Sequence, residues 1–140
     1  MIEQFRRFLN EVPEKKGLSA QGADYFYSHG FALYNGGNVP EALEVFEVLS
    51  AQRPLESRNW VAFASSLQEL KEYERALRGW AMAAILDDSN AYPHFYAAQC
   101  HLSLGQKEEA NTALSAAAKR AATEELQDKI KLLKEQWNLS

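Results

Sequence analysis

Residues 27–46 read YSHGFALYNGGNVPEALEVF, and their spacing decides the fold. The small Gly30 is followed twelve positions on by Ala42, and four after that by the bulky Phe46. The same trio returns 34 residues later as Ala64, Ala76 and Trp80, and again as Ala98, Ala110 and Leu114. Small side chains at a fixed offset let two helices approach closely, and the bulky residue one turn further fills the space beside them. A unit of this kind cannot bury its apolar face alone, so about three must stack to make a core.

Within each period the bulky and turn residues keep the same order. Phe26 and Leu33 mark the first helix of one unit, Trp60, Phe63 and Leu67 that of the next, and His94, Ala97 and His101 that of the third. Gly37 and Gly105 take the turn between helices, with Lys71 at that place in the middle unit, and Pro54, Asp88 and Ala122 stand where the units end. The pattern resembles the tetratricopeptide repeat, with units at about 23–56, 57–90 and 91–122. The resemblance implies an all-α solenoid of three repeats over 23–122, preceded by an N-terminal helix and closed by a C-terminal capping helix.

With 140 residues the chain is one domain that buries about two-thirds of the surface its unfolded form exposes. Cys100 is the single cysteine, which excludes an internal disulfide and points to a reducing compartment, with the cytoplasm as the default. The first 16 residues interleave charged and apolar side chains, unlike a signal peptide or a bilayer span, so no direct membrane insertion is expected. Fifteen basic residues stand against 19 acidic ones, a net charge of -4, with no basic stripe for phosphates, which argues against nucleic acid as a partner. The first unit is acidic (Asp24, Glu41, Glu44, Glu47 and Glu56 against Arg53), as a solvated helix face also would be.

Ile2, Phe5, Leu9 and Val12 draw an apolar stripe down a short helix that Pro13 ends, and the polar residues 14–22 read as a flexible joint, giving an N-terminal segment over 1–22. At the other end Leu126, Ile130, Leu133 and Trp137 form a stripe behind a Thr123 cap, with Glu124 and Glu125 in the first turn; this is the expected capping helix over 123–140. Seven or eight helices and no strand are predicted.

Packing of the first helix pair uses the side bearing Phe26, Gly30 and Leu33, and a second stripe is left over. Tyr27, Phe31 and Tyr34 fall at i, i+4 and i+7 and share a face that lines the concave surface of stacked repeats. The corresponding positions are Arg58, Val61, Ser65 and Gln68 in the second unit and Tyr92, Phe95, Gln99 and Leu102 in the third. A groove aromatic at its ends and polar between suits an extended peptide, whose apolar anchors the rings desolvate while Arg58, Gln68 and Gln99 bond its backbone. The same stripe could instead be covered by the chain's own N-terminal helix or by a second subunit.

Two stretches sharpen the resemblance. Residues 27–34 with Gly37, Ala42 and Phe46 resemble the first repeat of the class II chaperones of bacterial type III secretion, and residues 95–102, FYAAQCHL, resemble the "FHAAEC" stretch of that family's third repeat. Membership implies a bacterial cytoplasmic chaperone that holds hydrophobic translocator proteins soluble before secretion by binding an extended segment in its groove. By position, Tyr27, Phe31, Tyr34 and Phe95 match groove residues of the family, whereas Gln99 and His101 depart from its commonest choices. The family also implies a homodimer, for which Ile2, Phe5, Leu9 and Val12 offer an interface.

Other readings fit less well. A clamp for a C-terminal carboxylate needs lysine and asparagine where this chain has Tyr27 and Phe31. A generic protein–protein interaction scaffold, working through the convex surface, remains the alternative. His29, His94, His101 and Cys100 form no catalytic set, there is no CxxC or HExxH, and Gly36-Gly37-Asn38 lacks the lysine of a phosphate loop, so no enzyme, metal or cofactor is expected.

Overall fold

A computed structural model describes residues 17–139. Among these residues there are seven helices and no strand: α1 (Ala20–Asn35), α2 (Val39–Gln52), α3 (Ser57–Glu69), α4 (Tyr73–Leu86), α5 (Tyr92–Ser103), α6 (Lys107–Arg120) and α7 (Glu124–Gln136). Each helix packs on the next in sequence, and α1 also reaches α3. The chain is therefore three stacked helix hairpins with α7 against the last, the all-α solenoid that the 34-residue period predicts.

The period of the sequence is the period of the turns. The first helix of every hairpin ends with the N–H of Asn38, Glu72 or Gln106 donating to the carbonyl of Leu33, Leu67 or His101, at 2.8, 2.9 and 2.8 Å. The residue just before each of those donors is left-handed: Gly37 at φ 85°, Lys71 at 62° and Gly105 at 75°. This closure satisfies carbonyls that a helix end otherwise leaves without partners.

Between the two helices of each hairpin lies the packed interior. Ala42, Ala76 and Ala110 are fully buried, and Phe46, Trp80 and Leu114 nearly so. Close approach is enforced by Gly30 and Gly79: a Cβ on Gly30 would lie 2.8 Å from the Phe46 ring, and one on Gly79 2.9 Å from the Ala64 Cβ. At the junction of the first two hairpins, buried Asn59 donates to the Leu49 and Arg53 carbonyls (3.5 and 3.3 Å) and accepts from Ser50 Oγ at its own carbonyl (3.2 Å). One polar side chain thus ties the end of α2 and the residue that follows it to the first turn of α3.

Two boundaries differ from the sequence reading. The joint expected to run to residue 22 ends sooner: Ser19 caps α1 by accepting the Gly22 N–H at 3.1 Å, the helix starts at Ala20, and Leu18 is buried in the first core cluster. A serine followed by alanine and a buried leucine outweighs the helix-breaking reading of Gly22. In α7, Leu126 and Ile130 are buried, but Trp137 follows the helix end and is 40% exposed. The stripe Ile2, Phe5, Leu9 and Val12 lies outside the described residues.

Candidate functional site

Three hollows run together along the face made by α1, α3 and α5. The first is walled by Tyr27, Phe31 and Tyr34 of α1 with Phe46, Val61 and Ser65. The second, about 400 Å³, shares Tyr34, Val61 and Ser65 and adds Gln68, Glu69, Trp80, Tyr96 and Gln99. The third shares Tyr96 and Gln99 and extends past Phe95 to Lys129, Leu132 and Leu133 of α7. Shared walls make them one continuous groove.

Its first end is aromatic and braced. Tyr27 stacks on Phe31 with centroids 6.0 Å apart and tilts over Phe46 at 5.8 Å. The Arg58 guanidinium lies 4.5 Å from the Tyr27 ring centroid and pairs with the Asp24 carboxylate, so it stiffens the wall. At the other end Tyr92 stacks on Tyr96 at 6.1 Å and Tyr96 on Trp80 at 5.1 Å.

The middle is polar and internally bonded. The Trp80 indole N–H donates to Gln68 Oε1 at 2.9 Å, and Gln68 Nε2 donates to Gln99 Oε1 at 3.2 Å. Tyr34, between the aromatic and polar parts, has its hydroxyl pKa raised, first by burial and then by Glu69 and Tyr96. The phenol stays protonated at neutral pH and can donate a hydrogen bond into the groove.

Tyr27, Phe31, Tyr34, Val61, Gln68 and Gln99 thus share the face on which their spacing put them, Arg58 backs it, and Tyr92 reaches it through its stack on Tyr96. Phe95 and Leu102 differ from the expectation of open groove walls. They are only 6% and 4% exposed. Phe95 shares a core cluster with Leu126 and Ile130, because α7 occupies the place where a further repeat would stand. The position held by Tyr27 and Val61 in the first two hairpins is thereby closed at Phe95 in the third.

Tyr96 and Trp80 are groove residues that the sequence reading did not assign. The period aligns Tyr96 with Ser28 and Ala62, which carry no aromatic signal, and aligns Trp80 with the core residues Phe46 and Leu114. The available clues were the i, i+4 pair Tyr92/Tyr96 and the indole N–H, which a buried tryptophan must give to an acceptor.

The histidines lie elsewhere. His94 and His101 face an apolar hollow of about 590 Å³ between α4, α5 and α6, walled by Ala81, Ala84, Ile85, Ala113 and Ala116. Burial pushes the Cys100 thiol up to about 11, so it is no thiolate at neutral pH. Among the described residues no three His, Cys, Asp or Glu side chains gather as metal ligands, and no helix is long and apolar enough to cross a membrane. Although this hollow is larger than those of the groove, the stacked rings and oriented amides belong to the groove.

Comparison with known proteins agrees with this fold. Tetratricopeptide-repeat models match residues 23–54 and 94–123. The chain is 26% identical over 113 residues to low calcium response locus protein H of Yersinia pestis, covering 81% of this chain and 67% of that protein. It is similar to the Yersinia enterocolitica type III secretion chaperone SycD solved in complex with a peptide of the translocator YopD: TM-score 0.81, 25% identity, 84% of this chain and 93% of that one. It is also similar to PcrH in complex with the chaperone binding region of PopD: TM-score 0.80, 28% identity, 86% and 93% covered.

Proposed function

Since the chain belongs to the tetratricopeptide-repeat translocator chaperones of type III secretion, we propose that its continuous groove holds an extended segment of a hydrophobic translocator and so keeps that protein soluble before secretion. The observation that carries this reading is the groove itself: stacked rings at both ends and bonded amides between, on a fold shared with chaperones solved bound to translocator segments. Apolar anchors of the client lose water against Tyr27, Phe31 and Tyr34, and backbone groups meet Gln99 and the Tyr34 hydroxyl. It binds and releases a segment without chemistry and is not an enzyme.

The work takes place in the bacterial cytoplasm, where a pore-forming client would otherwise aggregate or insert. A similar chaperone has been solved as an alternative dimer, and a homodimer is part of this reading, with Ile2, Phe5, Leu9 and Val12 as its contact.

Phe31 gives the cleanest test. It is 49% exposed, whereas Tyr27 is half-buried and packs on the first core cluster, so truncating Phe31 removes groove surface with little loss of core. Burying the rest of such a ring contributes about 1 to 2 kcal/mol, a fivefold to thirtyfold change in affinity. Co-expressed with a hydrophobic translocator, the wild type should keep it soluble and the Phe31→Ala chain should retain less of it at an unchanged melting temperature. Equal retention by both chains would place the client elsewhere.

A further inference from the structure

Resting on that reading, we infer that Trp80 is a positioning residue which, through Gln68, fixes Gln99 as a hydrogen-bond donor toward the client, so that the groove centre selects a segment that turns a backbone carbonyl to Gln99. An indole nitrogen can only donate. At 2.9 Å from Trp80 Nε1, the Gln68 side chain must present its oxygen, since the opposite assignment sets two donors against each other. Its NH2 group is then directed to Gln99, 3.2 Å away, which must offer oxygen in turn. The remaining NH2 of Gln99 is left for the groove, where that residue borders both the second and third hollows.

The relay is held from behind. Trp80 is 2% exposed, stacks on Tyr96 and is locked between α3 and α5, so the direction of the first bond is built into the core. An amide free to turn would offer oxygen or nitrogen equally and discriminate nothing. A glutamate at position 99 could still accept from Gln68 but would set an oxygen against the client's carbonyl.

The test uses the full chain and fluorescent peptides of the YopD segment and the PopD chaperone binding region as probes. Gln99→Ala should weaken binding about fivefold to tenfold. Gln68→Glu keeps the size and the bond from Trp80, yet it can only accept. It should draw the Gln99 NH2 inward, turn its oxygen to the client and weaken binding at least as much. Combined, the two changes should bind as Gln99→Ala alone does, because both act through one donor. Trp80→Phe, which frees Gln68 to turn instead of reversing it, should weaken binding less than Gln68→Glu does wherever it folds, and the half-buried Gln68 keeps the test informative where it does not. Losses that multiply, or a Gln68→Glu chain that binds as the wild type, would overturn the relay while leaving the groove in place. If neither peptide binds the wild type, both the groove reading and this inference fail.

Discussion

Gly30 has no room for a methyl group. Its absent Cβ would meet the Phe46 ring at 2.8 Å and the Val45 Cγ1 at 3.1 Å, and both side chains are 1% exposed, with nowhere to retreat. On an open helix surface a glycine-to-alanine change gains roughly 0.5 to 1 kcal/mol. Here the overlap should prevail, and Gly30→Ala should destabilise by about 1 to 3 kcal/mol, read as a lower urea midpoint at unchanged slope. A variant as stable as the wild type would mean that the first hairpin can open to admit the methyl. The small residue at this register was legible in the sequence because its reason is local, two helices touching. Trp80 was legible as core but not as the origin of a hydrogen-bond relay. Its partner Gln68 is twelve residues away and Gln99 nineteen, and only the stacked fold brings the three together.

At the scale of elements, the three turns inside the hairpins are copies of one geometry with one residue out of type. Lys71 sits at φ 62°, where a side chain crowds its own backbone, while Gly37 and Gly105 at the same place meet no such conflict. A Cβ on either glycine would touch nothing within 4 Å, so the difference lies in backbone conformation alone. Lys71→Gly should therefore stabilise by roughly 0.5 to 1 kcal/mol and Gly105→Lys should destabilise by a similar amount. Thermal melts of the pair would check the sign, and a Lys71→Gly chain that melts lower than the wild type would show that the side chain contributes more than its strain. The 34-residue period made these turns and all three hairpins readable. It misled at Phe95, because strict repetition predicts equal exposure in every unit and α7 breaks the repetition at one end, and Leu102 is buried as well. The boundary of α1 was missed for the opposite reason, since one serine cap and one buried leucine decide it with no periodic signal.

For the whole molecule, the last hairpin is where acid should be felt first. His94 lies at the start of α5, beside Arg120 from the end of α6, whose Nε donates to the Asp88 carbonyl at 2.6 Å and whose guanidinium pairs with the Asp88 carboxylate at 3.2 Å. Burial holds the His94 imidazole below its ordinary value of 6.5, the Arg120 charge lowers it further, and Asp88 opposes in part. A histidine with a depressed folded pKa binds protons more readily when unfolded, so its contribution is intact above 6.5 and lost as the pH falls from there toward the folded pKa. Urea midpoints measured at pH 7.5 and pH 5.5 should show the wild type weaker at the lower pH. His94→Gln, which keeps a polar side chain but removes the titration, should lose less over the same interval. If both chains lost equally, the acid sensitivity would lie outside the His94 imidazole, and its depressed pKa would not weaken the last hairpin.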